Sequence, residues 1–520
     1  RDLISLRSAL QEVHFPKEGE RLAPALRRLK YHELFLFQVK LARKRWGRKE
    51  EHNGIAFNPK SPLARRLVDA LPFRLTSAQI RVIKEITADM GTRQPMNRLL
   101  QGDVGSGKTV VALIAMLIAA DNGYQSAFLA PTEVLAEQHY RTLKSLLAEM
   151  PVQIRLLVGA QRAGLRRDIL EDIGGGHAQI VVGTHALLEK QVAFGRLGFV
   201  VIDEQHRFGV LQRASLREKG SNPHVLVMTA TPIPRTLSLT LYGDLDVSVI
   251  DELPKDRRSI QTVIRDEDAL PSVYQFVREQ VTAGRQAYFV YPLVEESERL
   301  ELKAATTHME HLQSEVFPDL RLGLLHGRMP SEEKESVMRS FKNGEVHILV
   351  ATTVIEVGID VPNASVMVVE DAERFGLSQL HQLRGRVGRG ADQSYCILLT
   401  KRWIAQRAKR GGALPGLSLE EHRLAERRLA TMVSTTDGFV IAETDLQLRG
   451  PGDYFGTRQS GIPEFRVANI LLDTEILEIA RNDAFALIDN DPQLRDPAHA
   501  SLLMYLRDSL PAESSIASTG

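Results

Sequence analysis

The sequence predicts an α/β protein: two tandem units, each built on a parallel sheet, with helical segments before and after them. Three observations lead there. Short, fully apolar segments alternate with helical stretches from about residue 73 to 255. The alternation breaks at Leu253-Pro254-Lys255-Asp256-Arg257-Arg258, a linker-like stretch, and it resumes from about 260 to 405. Strands that are apolar throughout, rather than at every second residue, are buried on both faces, which is the mark of a parallel sheet covered by helices.

Residues 1–72 read as a helical N-terminal connector. Its apolar stripe, Tyr31 to Val39, runs into the basic Arg43-Lys44-Arg45-Trp46-Gly47-Arg48-Lys49. Such a run is either a solvated helix end or a contact to a phosphate backbone. In the first unit, residues 73–255, strands are expected at Leu99-Leu100-Gln101, Ser126 to Ala130, Gln179 to Val182 and Phe199 to Ile202. In the second, residues 256–405, they are expected at Ala287 to Val290, His347 to Ala351, Val366 to Val369 and Tyr395 to Leu399. Beyond Lys401 the strands fade into a C-terminal region, residues 406–520. It holds the loop Gly411 to Gly416, a capping box at Ser418-Leu419-Glu420-Glu421 opening a basic helix, and a small polar tail from Ala512.

Composition limits the function classes. The 520 residues suffice for about three domains, and 25% charged with 43% hydrophobic residues is ordinary for a globular protein. The single cysteine, Cys396, excludes a disulfide framework and fits a reducing cytoplasm. The apolar run Val110 to Ala120 is too short to span a bilayer, so no membrane partner is expected. The chain opens on Arg1 rather than Met, as a piece of a longer protein would. A net charge of +1 carries no nucleic-acid signal, so any such surface must be local.

The chemistry is concentrated in three segments. Gly102-Asp103-Val104-Gly105-Ser106-Gly107-Lys108-Thr109 is a complete phosphate-binding loop between an apolar strand and an apolar helix. Its glycines let backbone N–H groups turn inward, and the helix N-terminus adds its positive dipole end. Lys108 would reach the β- and γ-phosphates of ATP, and Thr109 would hold Mg²⁺. Next, Asp203-Glu204 ends the apolar strand Phe199 to Ile202. An open α/β sheet places ligands at such a carboxyl end. Asp203 would coordinate Mg²⁺ through water, and Glu204 would orient and deprotonate the attacking water. Third is Gln379 to Gly390, with Gln382, Arg386 and Arg389. Arginines among glycines can form a flexible basic loop. A spacing of three instead puts Arg386 and Arg389 near one face of a helical turn, able to neutralise a transferring phosphoryl group from the second unit. ATP would then lie between the units.

With these segments in view, the chain resembles the superfamily 2 helicases over about 73 to 400. The shared segments, in order, are Leu75-Thr76-Ser77-Ala78-Gln79, the phosphate loop, Ala130-Pro131-Thr132-Glu133, Gly183-Thr184-His185, Asp203-Glu204-Gln205-His206 and Thr229-Ala230-Thr231-Pro232. His326-Gly327-Arg328-Met329, Ala351 to Pro362 and the arginine–glycine segment follow. The resemblance implies two tandem RecA-like motor domains. It also implies that Gln79 reads the adenine, that Asp360 contacts the ribose, and that Thr132, Thr184 and Thr352 touch the nucleic-acid backbone. Thr229 and Thr231 would couple hydrolysis to movement. Taken singly, each threonine is equally a cap or turn residue.

Residues 437–461, DGFVIAETDLQLRGPGDYFGTRQSG, follow the basic helix that carries Arg423 and Arg427. They resemble the translocation motif shared by the RecG family and the transcription–repair coupling factor, with Arg449 and Gln459 inside the matching phrases. The form of the phosphate loop, the stretch from Met228 to Thr236 and the short tail are more similar to RecG. That resemblance implies an ATP-dependent double-stranded DNA translocase that reverses stalled replication forks and processes four-way junctions in recombination and repair. It also implies a helical-hairpin C-terminal region and a single-stranded DNA-binding protein as partner. The family's all-β wedge domain has no counterpart in these residues. Three alternatives are set against it. A transcription-coupled translocase would need a polymerase-binding module, for which no segment stands out. An RNA helicase has no use for residues 437–461. An ATP-gated clamp that grips DNA without moving has no use for Glu204, Arg386 and Arg389.

Overall fold

The computed structural model describes residues 3–16, 21–50, 54–159, 161–204, 219–229, 245–253, 259–292, 306–352, 361–388, 390, 392–402, 419–454, 465–470 and 472–508. The linker at 254–258, the loop at 411–416 and Ser418 of the expected capping box lie outside them.

The chain starts with α1 (Leu6–His14), the long α2 (Leu22–Glu50) and α3 (Pro62–Ala70). Ser61 caps α3, its hydroxyl accepting from Ala64 N at 3.0 Å, and Pro62 stands where a helix spends no N–H. Then come α4 (Ser77–Met90), β1 (Asn97–Gly102), α5 (Lys108–Asp121), β2 (Gln125–Leu129), α6 (Glu133–Leu146), β3 (Ile154–Leu157), α7 (Ala163–Gly174), β4 (Ile180–Gly183), β5 (Leu197–Ile202), β6 (His224–Thr229) and β7 (Asp246–Ile250). All pairings are parallel, in the order β3-β4-β2-β5-β6-β1-β7. Every residue of β2, β4, β5 and β6 is buried, as their apolar sequences require.

The second sheet is built from β8 (Gln261–Asp266), β9 (Gln286–Val290), β10 (Leu322–Leu325), β11 (Ile348–Ala351), β12 (Ala364–Val369) and β13 (Tyr395–Thr400). It too is parallel, in the order β10-β11-β9-β12-β13-β8. Between its strands run α8 (Leu270–Thr282), α9 (Ser331–Lys342) and α10 (Leu377–Arg384). The chain ends in α11 (Leu419–Ser434), α12 (Gly438–Tyr454), α13 (Thr474–Asn490) and α14 (Ala500–Asp508).

Two packing facts depart from a simple four-segment division. Phe57, Ala64 and Leu67 join the core around α5, so the first sheet's packing begins well before residue 73. The two ends of the chain also share one helical body. α2 lies along α13, with Lys30 Nζ 2.7 Å from Asp473 Oδ1 and Tyr31 Oη donating to Asp483 Oδ2 at 2.8 Å. The Glu33 carboxylate accepts the backbone N–H groups of Arg466, Val467 and Ala468 at 3.0, 2.9 and 2.9 Å. Within the basic run, Arg45 is neither simply solvated nor free for phosphate. Its guanidinium meets Asp246 on β7 at 2.5 Å and lies over the Phe485 ring. Finally, α12 bridges two cores: Ile441 packs with Leu380 and Leu383 of α10, and Leu446 packs with Leu34 and Leu477.

Candidate nucleotide site between the two sheets

The phosphate loop leaves β1 and enters α5. Gly105 and Gly107 have φ of 79° and 86°, the left-handed region that glycine occupies without a side-chain penalty. A methyl group at Gly107 would also run into the Gln79 amide. Gln79 braces this turn. Its Oε1 accepts from Thr76 N at 2.9 Å in a capping box, and its Nε2 donates to Ser106 O at 2.8 Å. Lys108 Nζ donates to Gly102 O at 2.8 Å and Asp103 O at 3.0 Å, which holds the ammonium against its own loop. Thr109, half-buried, stands in the first turn of α5.

Asp203 follows β5, and its Oδ2 lies 2.8 Å from His139 Nε2 of α6. Burial by itself would raise the Asp203 pKa. The His139 bond, the charges of His139 and Lys108 and the Glu204 N–H outweigh it and hold the carboxyl below its usual range. Glu204 has φ of 52°, a conformation that costs a non-glycine residue free energy and recurs at functional sites.

The second sheet contributes α10. Arg386, 7% exposed, and the half-buried Gln382 lie at its end. Gly385 packs on the phosphate loop so closely that a Cβ there would lie 3.4 Å from Val104 Cβ. His381 Nε2 lies 2.8 Å from Asp103 Oδ1, which also accepts from Val104 N at 2.7 Å. Burial favours the neutral Asp103 acid, but the hydrogen bond from His381, the Val104 N–H and the charge of Lys108 together lower its pKa.

The remaining expected residues divide four ways. Thr132 caps α6, accepting from Leu135 N at 3.4 Å, which is the local role open to it. Thr184, Thr229 and Thr352 are buried at strand ends, and the hydroxyls of Thr184 and Thr352 find no hydrogen-bond partner among the described residues. Arg423 and Arg427 are exposed on α11, and Arg449 lies on α12. Gln205, His206, Thr231, Asp360, Arg389 and Gln459 lie outside the described residues. Sequence reasoning missed His139, His381 and Arg384. A histidine within a helix carries no local signal, and the residues that give these three their place, Asp203, Asp103, Met432 and Thr435, are remote in sequence.

Three family models match in chain order: DEAD/DEAH box helicase over 76–240, helicase conserved C-terminal domain over 271–391, and the C-terminal part of domain 3 of the ATP-dependent DNA helicase RecG over 435–514. The ATP-dependent DNA helicase RecG of Bacillus subtilis is 47% identical over 503 residues, 96% of this chain and 70% of the relative. The chain belongs to the RecG family. A RecG structure bound to a three-way DNA junction superposes with a TM-score of 0.73 at 45% identity, covering 92% of this chain and 60% of that one. The RecG helicase of Synechocystis is 49% identical over 97% of this chain, which spans 58% of that relative's length. Among the described residues of this RecG-family chain, no helix is long and apolar enough to cross a membrane.

Proposed function

We propose that this chain is the ATP-driven motor part of a RecG-type DNA helicase, moving on duplex DNA and remodelling branched DNA such as forks and four-way junctions. One observation carries the reading: α10 of the second sheet seats on the phosphate loop of the first, through His381–Asp103 and Gly385 against Val104. A triphosphate on that loop would be flanked by the arginines that follow α10, so hydrolysis would bear on how the two units meet. The RecG structure bound to a three-way DNA junction supports the choice of substrate.

In this reading residues 73–255 and 256–405 are the two motor domains, 1–72 is the connector and 406–520 the translocation hairpin and tail. Gly102 to Thr109 cradles the triphosphate, with Gln79 at the adenine and Asp360 at the ribose. The half-buried Thr109 hydroxyl and the Asp203 carboxylate, held ionised, are hard oxygen donors that fit Mg²⁺. When bound, Mg²⁺ neutralises charge on the phosphate oxygens. Lys108 holds the β- and γ-phosphates, Glu204 takes the proton of the attacking water, and Gln382, Arg386 and Arg389 meet the charge developing in the transition state. Thr132, Thr184 and Thr352 meet the DNA backbone, while Thr229 and Thr231 couple hydrolysis to motion. The hairpin, with Arg423, Arg427, Arg449 and Gln459, levers on the duplex. A single-stranded DNA-binding protein as partner and a cytoplasmic location follow from the same family reading.

The test is the ATPase rate compared side by side with no nucleic acid, single strands, plain duplex, forks, four-way junctions and RNA. Branched DNA should stimulate most. Equal stimulation by RNA, or none by any DNA, would overturn the proposal.

A further inference from the structure

We infer that His381 is a positioning residue that ties the C-terminal hairpin to the phosphate loop, so that the setting of α11 and α12 reaches the site of hydrolysis along the path Arg384–His381–Asp103. The inference rests on the motor reading above and adds a route to it.

The path is continuous and buried. Where α11 ends, the carbonyls of Met432 and Thr435 each accept from Arg384 Nη1 at 2.9 Å. Arg384 Nη2 lies 3.0 Å from His381 Nδ1, and His381 Nε2 lies 2.8 Å from Asp103 Oδ1. Arg384 and His381 are 2% and 5% exposed. A guanidinium only donates, so His381 Nδ1 accepts, and the ring proton is left on Nε2 for Asp103. Both ring nitrogens are thereby committed, and the imidazole cannot turn without breaking a bond at each end. At the far end Asp103 Oδ1 also fixes Val104 N, while the Asp103 carbonyl receives Lys108. A displacement of the hairpin that pulls on Arg384 is therefore felt by the backbone on which the lysine leans. A second tie, Ser378 Oγ to Asp445 Oδ2 at 2.7 Å, holds α12 to the other end of α10, so helix and hairpin move together. Buried, fully connected polar links transmit position because breaking one leaves an unpaired group out of water.

His381 acts through Asp103 and touches no reacting atom, so its loss should separate stimulation from basal turnover. The experiment measures steady-state ATP hydrolysis by the 520-residue chain, with and without a three-way DNA junction, for wild type and for His381→Ala, His381→Asn and His381→Gln. Asn keeps an acceptor near Nδ1 and Gln a donor near Nε2, so each preserves one half of the path and a folded, polar core. In all three, the junction-stimulated kcat should fall about tenfold, while the KM for ATP and the DNA-free rate stay within about twofold. Full stimulation in His381→Ala would overturn the inference. So would recovery by Gln, which would make anchoring of Asp103 alone sufficient, or recovery by Asn, which would make the Asp103 bond dispensable. If His381→Ala does not fold, the two amide variants decide. A wild-type chain that DNA does not stimulate would instead remove the motor reading itself, and the wild-type rate reports that separately.

Discussion

Lys108 and Glu204 stand at two ends of one expected reaction, and their surroundings predict different failures. The Lys108 ammonium is held by two carbonyls of its own loop, so Lys108→Ala removes a cation without exposing a core. Turnover should drop on the order of 10²-fold or more with the fold intact. Near wild-type hydrolysis, with circular dichroism unchanged, would exclude the lysine from the chemistry. Glu204→Gln keeps shape and the left-handed backbone but loses the base. Tight ATP binding with turnover lowered on the order of 10²-fold is the expected pattern, read by nucleotide titration beside a turnover assay. Loss of binding itself would mark Glu204 as structural.

Among the elements, one carboxylate ties the terminal helical body together at three backbone groups. Glu33 of α2 closes three consecutive backbone N–H groups ahead of α13. Glu33→Ala leaves those donors to water or to nothing, at a cost of about 2 kcal/mol. Hydrogen exchange should quicken at residues 466–468 and along α13, while nucleotide binding at the distant loop stays as it was. Unchanged exchange there would show that α2 and α13 hold each other by apolar contact alone. The elements themselves follow from their sequences. α5 runs Val111 to Ala119 without a polar side chain because it is covered all round, and β5 is apolar at every residue because both its faces are.

For the molecule as a whole, the decisive arrangement is α10 of one sheet seated on the phosphate loop of the other. Arg386 is buried and directly follows Gly385, which packs against the phosphate loop that leads from the other sheet. Arg386→Ala should therefore reduce kcat far more than ATP affinity, because its contribution grows as charge develops on the transferring group. Equal losses in both, measured by steady-state kinetics beside equilibrium nucleotide binding, would reduce Arg386 to a ground-state contact.

The sequence by itself determined the two parallel sheets, the phosphate loop, the acidic pair after β5 and the family. Each of these is written in contiguous residues: glycines where φ turns positive, apolar runs where strands are buried, and a lysine and threonine in register with a helix start. Tertiary structure alone decided what those residues meet. Gln79, expected at an adenine, also braces the loop through Ser106. Arg45, open between solvent and phosphate, pairs with Asp246. His139 holds Asp203, and His381 reaches Asp103 across 278 positions of chain. A helix period or a glycine turn is local, and neighbouring residues suffice to specify it. A hydrogen bond between distant segments depends on how two sheets and a helical body settle against one another, and no spacing along the chain encodes that.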